Sequence, residues 1–351
     1  MGRTDEGSAA VAVEIADIRT QVLASAADVD AGRADVRPVL RALGAVGLLA
    51  DDDGADGGLL SAVRMVRRIA AGSLASAFAV WSQRMVLEYL RCCPPSADVR
   101  ALQDLLRSGE VTGATALAPA VADLAGRGEL PLVAEPDGDG WRLSGPISWA
   151  SNLFGDAVVV TPARTPQEGR VVVLFRLSDP GVDLGPVPEL LGLNGTGTRT
   201  LALHDVAVPR GCVLSDDLPD FMSLCRPAML LMQAALAVGL ADASLAESGA
   251  HLTGVNAVLR GDHEDLAGRR DEVVIALEDQ ASSQSGTGRA RLARTRLDAM
   301  AVATRAVALE TALCGGTGYR AGSTTGRRVR EVAFLPVQAP TLAQLRHDTA
   351  G

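Results

Sequence analysis

The sequence predicts an α+β multidomain chain: a helical N-terminal domain over residues 1–110, a middle β-domain over 111–215 and a C-terminal helical bundle over 216–351. Three observations carry that expectation. Two apolar β-branched runs, Val158-Val159-Val160 and Val171-Val172-Val173, fall in the middle of the chain, and branched side chains favour strands. The segments on either side are rich in Ala, Leu and Arg and read as helix. A chain of 351 residues is too long for one simple core and suits two or three packed domains.

Taken in order, Val11 to Gly47 carries apolar residues at helical spacing, with Pro38 near the start of a helix that reads Leu40, Leu43, Val46. The run Asp51-Asp52-Asp53-Gly54-Ala55-Asp56-Gly57-Gly58 is a loop by composition. A Ca²⁺ loop would need a downstream bidentate Glu that is missing here. Leu60 to Ala71 and Ser76 to Leu90 read as two more helices, the second with Phe78, Trp81, Met85 and Tyr89 on one stripe. The β-domain begins near Val111 and closes with Leu203-His204-Asp205-Val206-Ala207-Val208-Pro209. Leu191-Gly192-Leu193-Asn194-Gly195-Thr196-Gly197-Thr198 is a Gly-rich loop with no helix after it, so it is not a Rossmann fingerprint. From Phe221 onward the chain is helical. Asp265 to Gln280 and Gly288 to Leu313 are two charged helices, the second expected to bury Leu297, Met300, Ala301, Thr304, Val307 and Ala308.

Composition excludes several function classes. Apolar residues make up 48% and charged residues 21%, ample material for a core. The net charge of −9, with no basic cluster, would repel a polyphosphate backbone, so nucleic acid is not expected as a partner. All 33 basic residues are arginine, which removes Schiff-base and ammonium chemistry. Five cysteines, Cys92, Cys93, Cys212, Cys225 and Cys314, show no paired metal-ligand spacing and suit reduced thiols in a cytoplasm. No apolar run is expected to reach the roughly 20 residues of a membrane span, and the acidic N-terminus is no signal peptide. A cytoplasmic protein with no membrane partner is therefore expected.

Gly145-Pro146-Ile147-Ser148-Trp149-Ala150-Ser151-Asn152 keeps Gly145, Trp149, Ser151 and Asn152 of a Gly-x-Lys-x-Trp-Ile-Thr/Ser-Asn motif. Asp205, Val206, Val208 and Pro209 keep the matching positions of Phe-Glu-Asp-Val-x-Val-Pro. In this the chain resembles the acyl-CoA dehydrogenase family. Cys314-Gly315-Gly316-Thr317-Gly318-Tyr319 matches that family's Gly-Gly-x-Gly-Tyr, and Arg327-Arg328-Val329-Arg330-Glu331 its Glu-Arg-x-x-Arg-Asp. The resemblance implies a middle β-barrel domain, a C-terminal four-helix bundle and a homodimer or homotetramer. It implies FAD as cofactor, with FMN or no flavin as the alternatives. Trp149 and Ser151 are implied to bind the flavin, with Gly315, Gly316 and Thr341 in contact with it. Ser82, Gln83, Arg84 and Arg226 are implied to lie at the substrate pocket. Leu117-Ala118-Pro119-Ala120-Val121-Ala122-Asp123 falls where the family wraps the flavin and keeps the proline but not the glycine. The family's Arg-x-x-Phe-Gly lands on His251, Gly254 and Val255, none of them kept; Arg260 would need a slip in register.

The catalytic end departs from the family. Its Ile-Tyr-Glu-Gly-Thr falls on Val337-Gln338-Ala339-Pro340-Thr341, so Ala339 stands at the base position. An alanine methyl accepts no proton, and the Gln338 amide has no useful basicity. Cys225, Arg226 and Gln338 are the weak catalytic candidates; a Cys on an apolar helix is first of all a small core residue. Glu88 and Glu310 are the carboxylates that could approach from other elements. Three readings follow. The chain is a flavin-dependent oxidoreductase on an acyl or acyl-carrier thioester with its base relocated. Alternatively it is a flavin-dependent monooxygenase hydroxylating N, S or C of a small molecule. In the third reading it binds FAD weakly or not at all and has a scaffold or non-redox role.

Overall fold

The computed structural model describes residues 4–50, 58–92, 97–283 and 288–350, with side chains from residue 17 onward except at 97 and 98; the acidic loop at 51–57 lies outside them. Five helices come first: α1 (Thr4–Asp30), α2 (Arg37–Ala45), α3 (Gly58–Ala70), α4 (Leu74–Arg91) and α5 (Ala97–Ser108). Ser73 caps α4 by accepting the N–H of Ser76, and every residue from Leu74 to Leu90 is buried. The expected apolar stripe on α4 is thus part of a helix buried all round, Gln83, Arg84 and Glu88 included, because helices and sheet pack on it from several sides.

The middle of the chain is one sheet of eight strands. They are β1 (Gly113–Thr115), β2 (Val133–Asp137), β3 (Gly140–Ala150), β4 (Val158–Arg164), β5 (Arg170–Arg176), β6 (Val182–Leu184), β7 (Arg199–Val208) and β8 (Val213–Ser215). The order is β6-β7-β3-β2-β4-β5-β8, with β1 added parallel to β4. β5 and β7 touch although three strands lie between them, so the sheet rolls around its own core. Val158, Val160, Val172 and Leu174 point to the helical core, while Val159, Val171, Val173 and Phe175 point to the sheet's interior. Both faces are covered, which is why the two valine runs show no polar alternation.

The rest of the chain is helical: α7 (Leu218–Ala250), α8 (Arg260–Ser282), α9 (Arg289–Gly318), α10 (Thr324–Phe334) and α11 (Leu342–Ala350). Asp217 caps α7 by accepting from the N–H of Asp220. By length and composition α7 would pass for a membrane span, contrary to the sequence expectation, but 89% of its apolar window is buried inside the fold. Gly239 lets α7 cross α3 closely, since a Cβ there would sit 2.2 Å from the Arg67 carbonyl oxygen. Asp242 then receives both Arg67 and Arg270 across the crossing.

Two local expectations change. Leu117 to Asp123, expected as an irregular flavin-wrapping loop, is mostly the short helix α6 (Ala118–Leu124), started by Pro119 in its first turn. On α9 the buried face runs through Leu292, Arg296, Ala299, Ala303, Ala306 and Glu310, whereas Ala301, Thr304 and Ala308 are exposed. Two buried charges on the core face disguised its helical period.

Candidate functional site

One apolar cavity of about 590 Å³ lies where the three parts of the chain meet. Its walls come from α4 (Phe78, Trp81, Ser82, Tyr89), the end of β3 (Trp149, Ser151), the Leu190–Thr198 loop, Met229 of α7, and α10 with the segment after it (Arg330, Phe334, Gln338, Ala339). Phe78 stacks on Trp81 with centroids 5.3 Å apart and meets Phe334 edge-on at 4.7 Å, so α4 and α10 close one wall.

The Trp149-to-Asn152 turn is held in place from behind. Asn152 takes a positive φ of 64° and donates from Nδ2 to the carbonyls of Ala79 and Gly113, 2.9 and 3.1 Å away. An Asn adopts this left-handed conformation at low cost. Trp149 consequently stands 57% exposed at the cavity, while the Ser151 hydroxyl lies 2.7 Å from that of Thr198. A large indole face left open beside a short row of hydroxyls, Ser151, Thr196 and Thr198, suits a planar polycyclic ring with polar edges.

The segment at residues 338–340 is gripped from below. Arg296 of α9, wholly buried, donates to the carbonyls of Gln338 and Pro340, each at 3.1 Å, and to Oε1 of Gln233. Gln233 in turn donates to the Ala339 carbonyl at 2.9 Å. Burial without a carboxylate partner pulls the Arg296 pKa down to about 9, so the guanidinium still carries its charge at neutral pH. Opposite, Arg330 is neutralised by Asp30 at 2.5 Å; Asp30 also accepts the Leu193 N–H at 3.0 Å and fixes the cavity loop.

The cavity wall contains no proton acceptor of ordinary basicity among the described residues. Among the described residues its only titratable side chains are Tyr89 and Arg330, and burial drives the Tyr89 phenol well above its usual pKa. Neither carboxylate raised as a substitute base reaches the wall. Glu88 pairs with Arg91 at 3.0 Å, and Glu310 is buried against Arg328 at 2.8 Å.

The other sequence candidates fall as follows. Ser82 lines the cavity and donates to the Gly113 carbonyl. Gln83 is buried and ties α5 to β1 through Leu106, Val111 and Gly113, and Arg84 donates to the Leu49 carbonyl; neither touches the cavity. Arg226 does not line it either, being paired with Asp348 of α11 at 3.2 Å. Cys225 is buried beside Cys92. Gln338 and Ala339 form part of the wall. Gly315 and Gly316 are exposed, a Cβ on either would meet nothing within 4 Å, and they lie outside the wall, as does Thr341. His251 and Val255 are away from it too, and Arg260 is spent on the Leu252 carbonyl. Sequence reasoning missed Arg296, Gln233, Asp30 and Met229; Gln233, a lone amide inside the apolar run of α7, was the one available signal among them.

A helical layer, a rolled sheet and a helical bundle meeting at one cavity define an α+β class shared with known proteins. No family model matches the sequence. The chain is similar to mitochondrial short-chain specific acyl-CoA dehydrogenase of Bos taurus, 30% identical over 93 residues, which is 25% of this chain and 23% of the relative. It is also similar to cyclohexane-1-carbonyl-CoA dehydrogenase of Geobacter metallireducens, 28% identical over 130 residues, 34% of each. These matches span about a quarter to a third of the curated relatives. In fold the likeness runs the whole length: butyryl-CoA dehydrogenase from Megasphaera elsdenii superposes with a TM-score of 0.88 at 17% identity, covering 100% of this chain and 98% of that one. A glutaryl-coenzyme A dehydrogenase in complex with glutaryl-CoA gives 0.85 at 19%, over 100% and 95%. FkbI, for biosynthesis of a methoxymalonyl extender unit, gives 0.81 at 20%, over 96% and 98%. These likenesses show that the chain has the acyl-CoA dehydrogenase fold over its whole length.

Proposed function

We propose that this chain is a flavin-dependent oxidoreductase that works on an apolar acyl-type substrate by oxygen-dependent, monooxygenase-like chemistry rather than by α,β-dehydrogenation. The observation that carries this reading is the cavity wall, which among the described residues presents no carboxylate, imidazole or thiol. Dehydrogenation of an acyl thioester removes an α-proton, and a base within hydrogen-bond reach is worth about 10²- to 10⁴-fold in rate. Ala339 cannot serve, and the relocated bases that the sequence left open, Glu88 and Glu310, are held by Arg91 and Arg328.

The residues present suit a flavin: the open Trp149 face to stack the ring, and the hydroxyls of Ser151, Thr196 and Thr198 for its polar edge. Bound there, FAD would supply two-electron chemistry, and once reduced it would react with O₂. The chain's own contribution is to hold the substrate in the cavity, against the wall that α4 and α10 close, and to keep water from the reacting carbon. With Arg330 neutralised by Asp30, the wall offers no free cation for a carboxylate among the described residues, so a neutral apolar moiety such as the acyl part of a thioester suits it. Val255, Val258 and Ile275 are exposed on the helical part and support self-association as a homodimer or homotetramer. A flavin-free binding role is the second reading, favoured by α6 standing where a flavin-wrapping loop was expected.

The test uses the purified full-length protein. Visible flavin absorption is expected; its absence after reconstitution with FAD or FMN would transfer the case to the second reading. With flavin bound, saturated acyl thioesters should give no turnover with an artificial electron acceptor. A flavin reductase with NADH and O₂ should give a hydroxylated product. Brisk anaerobic flavin reduction by thioesters in the native protein would sink the proposal. Acceptor-linked activity gained only in Ala339→Glu would support the missing-base argument.

A further inference from the structure

Cys92, which follows the last turn of α4, and Cys225, in the second turn of α7, bring their sulfurs to 3.8 Å although 133 residues separate them. Cys225 is buried, and Cys92 is reachable from solvent. The two thiols do not behave alike. Cys225 donates its S–H to Cys92 and, with Arg91 adding positive charge, holds the Cys92 thiol below its ordinary pKa, against burial and the negative charges of Glu88 and Asp220. The same contact pushes the Cys225 thiol up, as burial does. One nucleophilic sulfur is therefore backed by a protonated, sequestered neighbour, the arrangement in which a first oxidation is resolved within the protein.

We propose that Cys92 and Cys225 are a redox modification site that a small hydroperoxide converts into a disulfide between α4 and α7. The Cys92 thiolate attacks one peroxide oxygen; the O–O bond breaks, leaving a sulfenic acid on Cys92 and, with hydrogen peroxide and one proton, water. Cys225 then displaces that oxygen: the S–S bond forms, the S–O bond breaks and the second water leaves with the Cys225 proton. The two thiols lose two electrons, which reduce the peroxide. A disulfide requires about 2.05 Å between sulfurs, so the two must approach by about 1.8 Å from their present 3.8 Å, which asks for side-chain rotation at both positions. The crosslink lies close to the cavity in sequence and space. Tyr89 and Met229, both wall residues, stand about one turn from Cys92 and Cys225, and Tyr89 packs on Phe221 of α7 with centroids 5.6 Å apart. Oxidation would fix two cavity walls to each other. The site stands on thiol geometry alone and does not depend on the proposed flavin chemistry.

The experiment treats the full-length protein with hydrogen peroxide near stoichiometric amount, with or without flavin bound. The chain has five cysteines, so thiols titratable in denaturant should fall from five to three, with no mass gained from oxygen. Peptide mapping should join the Cys92 and Cys225 peptides, and dithiothreitol should restore all five thiols. Cys93→Ser should still crosslink. Cys225→Ser should instead accumulate oxygen on Cys92, detectable with a dimedone probe, which a merely structural cysteine pair would not show. A Cys92–Cys93 bridge, stable sulfinic acid on native Cys92 without a crosslink, or five unchanged thiols would each overturn the assignment.

Discussion

Replacing Arg296 with methionine tests how the cavity floor is held. The native side chain makes three good hydrogen bonds from a charged donor, to Gln233 Oε1 and the carbonyls of Gln338 and Pro340. At about 2.5 kcal/mol each these amount to roughly 7.5 kcal/mol. Against that stands the cost of burying a guanidinium, expressed in its pKa falling from 12.5 to about 9, roughly 5 kcal/mol at about 1.36 kcal/mol per pH unit. Orphaning the Gln233 oxygen in the variant adds about 1 kcal/mol, for a net loss on the order of 3 kcal/mol. With an unfolding entropy of about 2.1 cal/mol/K per residue over 351 residues, the Tm of Arg296→Met should fall by about 4 °C in scanning calorimetry. Methionine nearly matches the arginine stem, so packing loss is kept small. A midpoint within about 1 °C of the native protein's would refute the idea that the grip on residues 338–340 stabilises the fold.

Two further outcomes are expected. Trp149→Ala should lose bound flavin while keeping its circular dichroism, because the indole is 57% exposed and supports little of the core; flavin stoichiometry after gel filtration checks this, and an unchanged ratio would remove Trp149 from the ring site. On pH, hydrogen bonds from Arg37 and Arg64 hold the carboxyls of Asp35 and Glu278 below their ordinary 3.8 and 4.5. Folded values below unfolded ones give stability that is fully present above about pH 4.5 and is lost as the pH falls through the depressed folded values. Both pairs are partly solvated, so each contributes under about 1 kcal/mol. Urea midpoints measured down to about pH 3 should fall less steeply in Arg64→Gln than in the native protein, and parallel curves would count against this pair.

Architecture was legible because its signals are local and repeated. Valine runs buried on both faces, apolar helices and long spaced motifs fix the element types and their order. What the sequence left open depended on which distant groups meet. Glu88 and Glu310 remained possible bases until folding paired them with Arg91 and Arg328. Arg296, one of many arginines on a charged helix, stands out only where burial places it under three carbonyl-type oxygens. Cys92 and Cys225, 133 residues apart, became neighbours only when α4 met α7. Side-chain type and periodicity are properties of a short stretch and survive in one dimension. Burial, pairing and basicity depend on the atoms within a few ångströms in space, and only the tertiary structure supplies those.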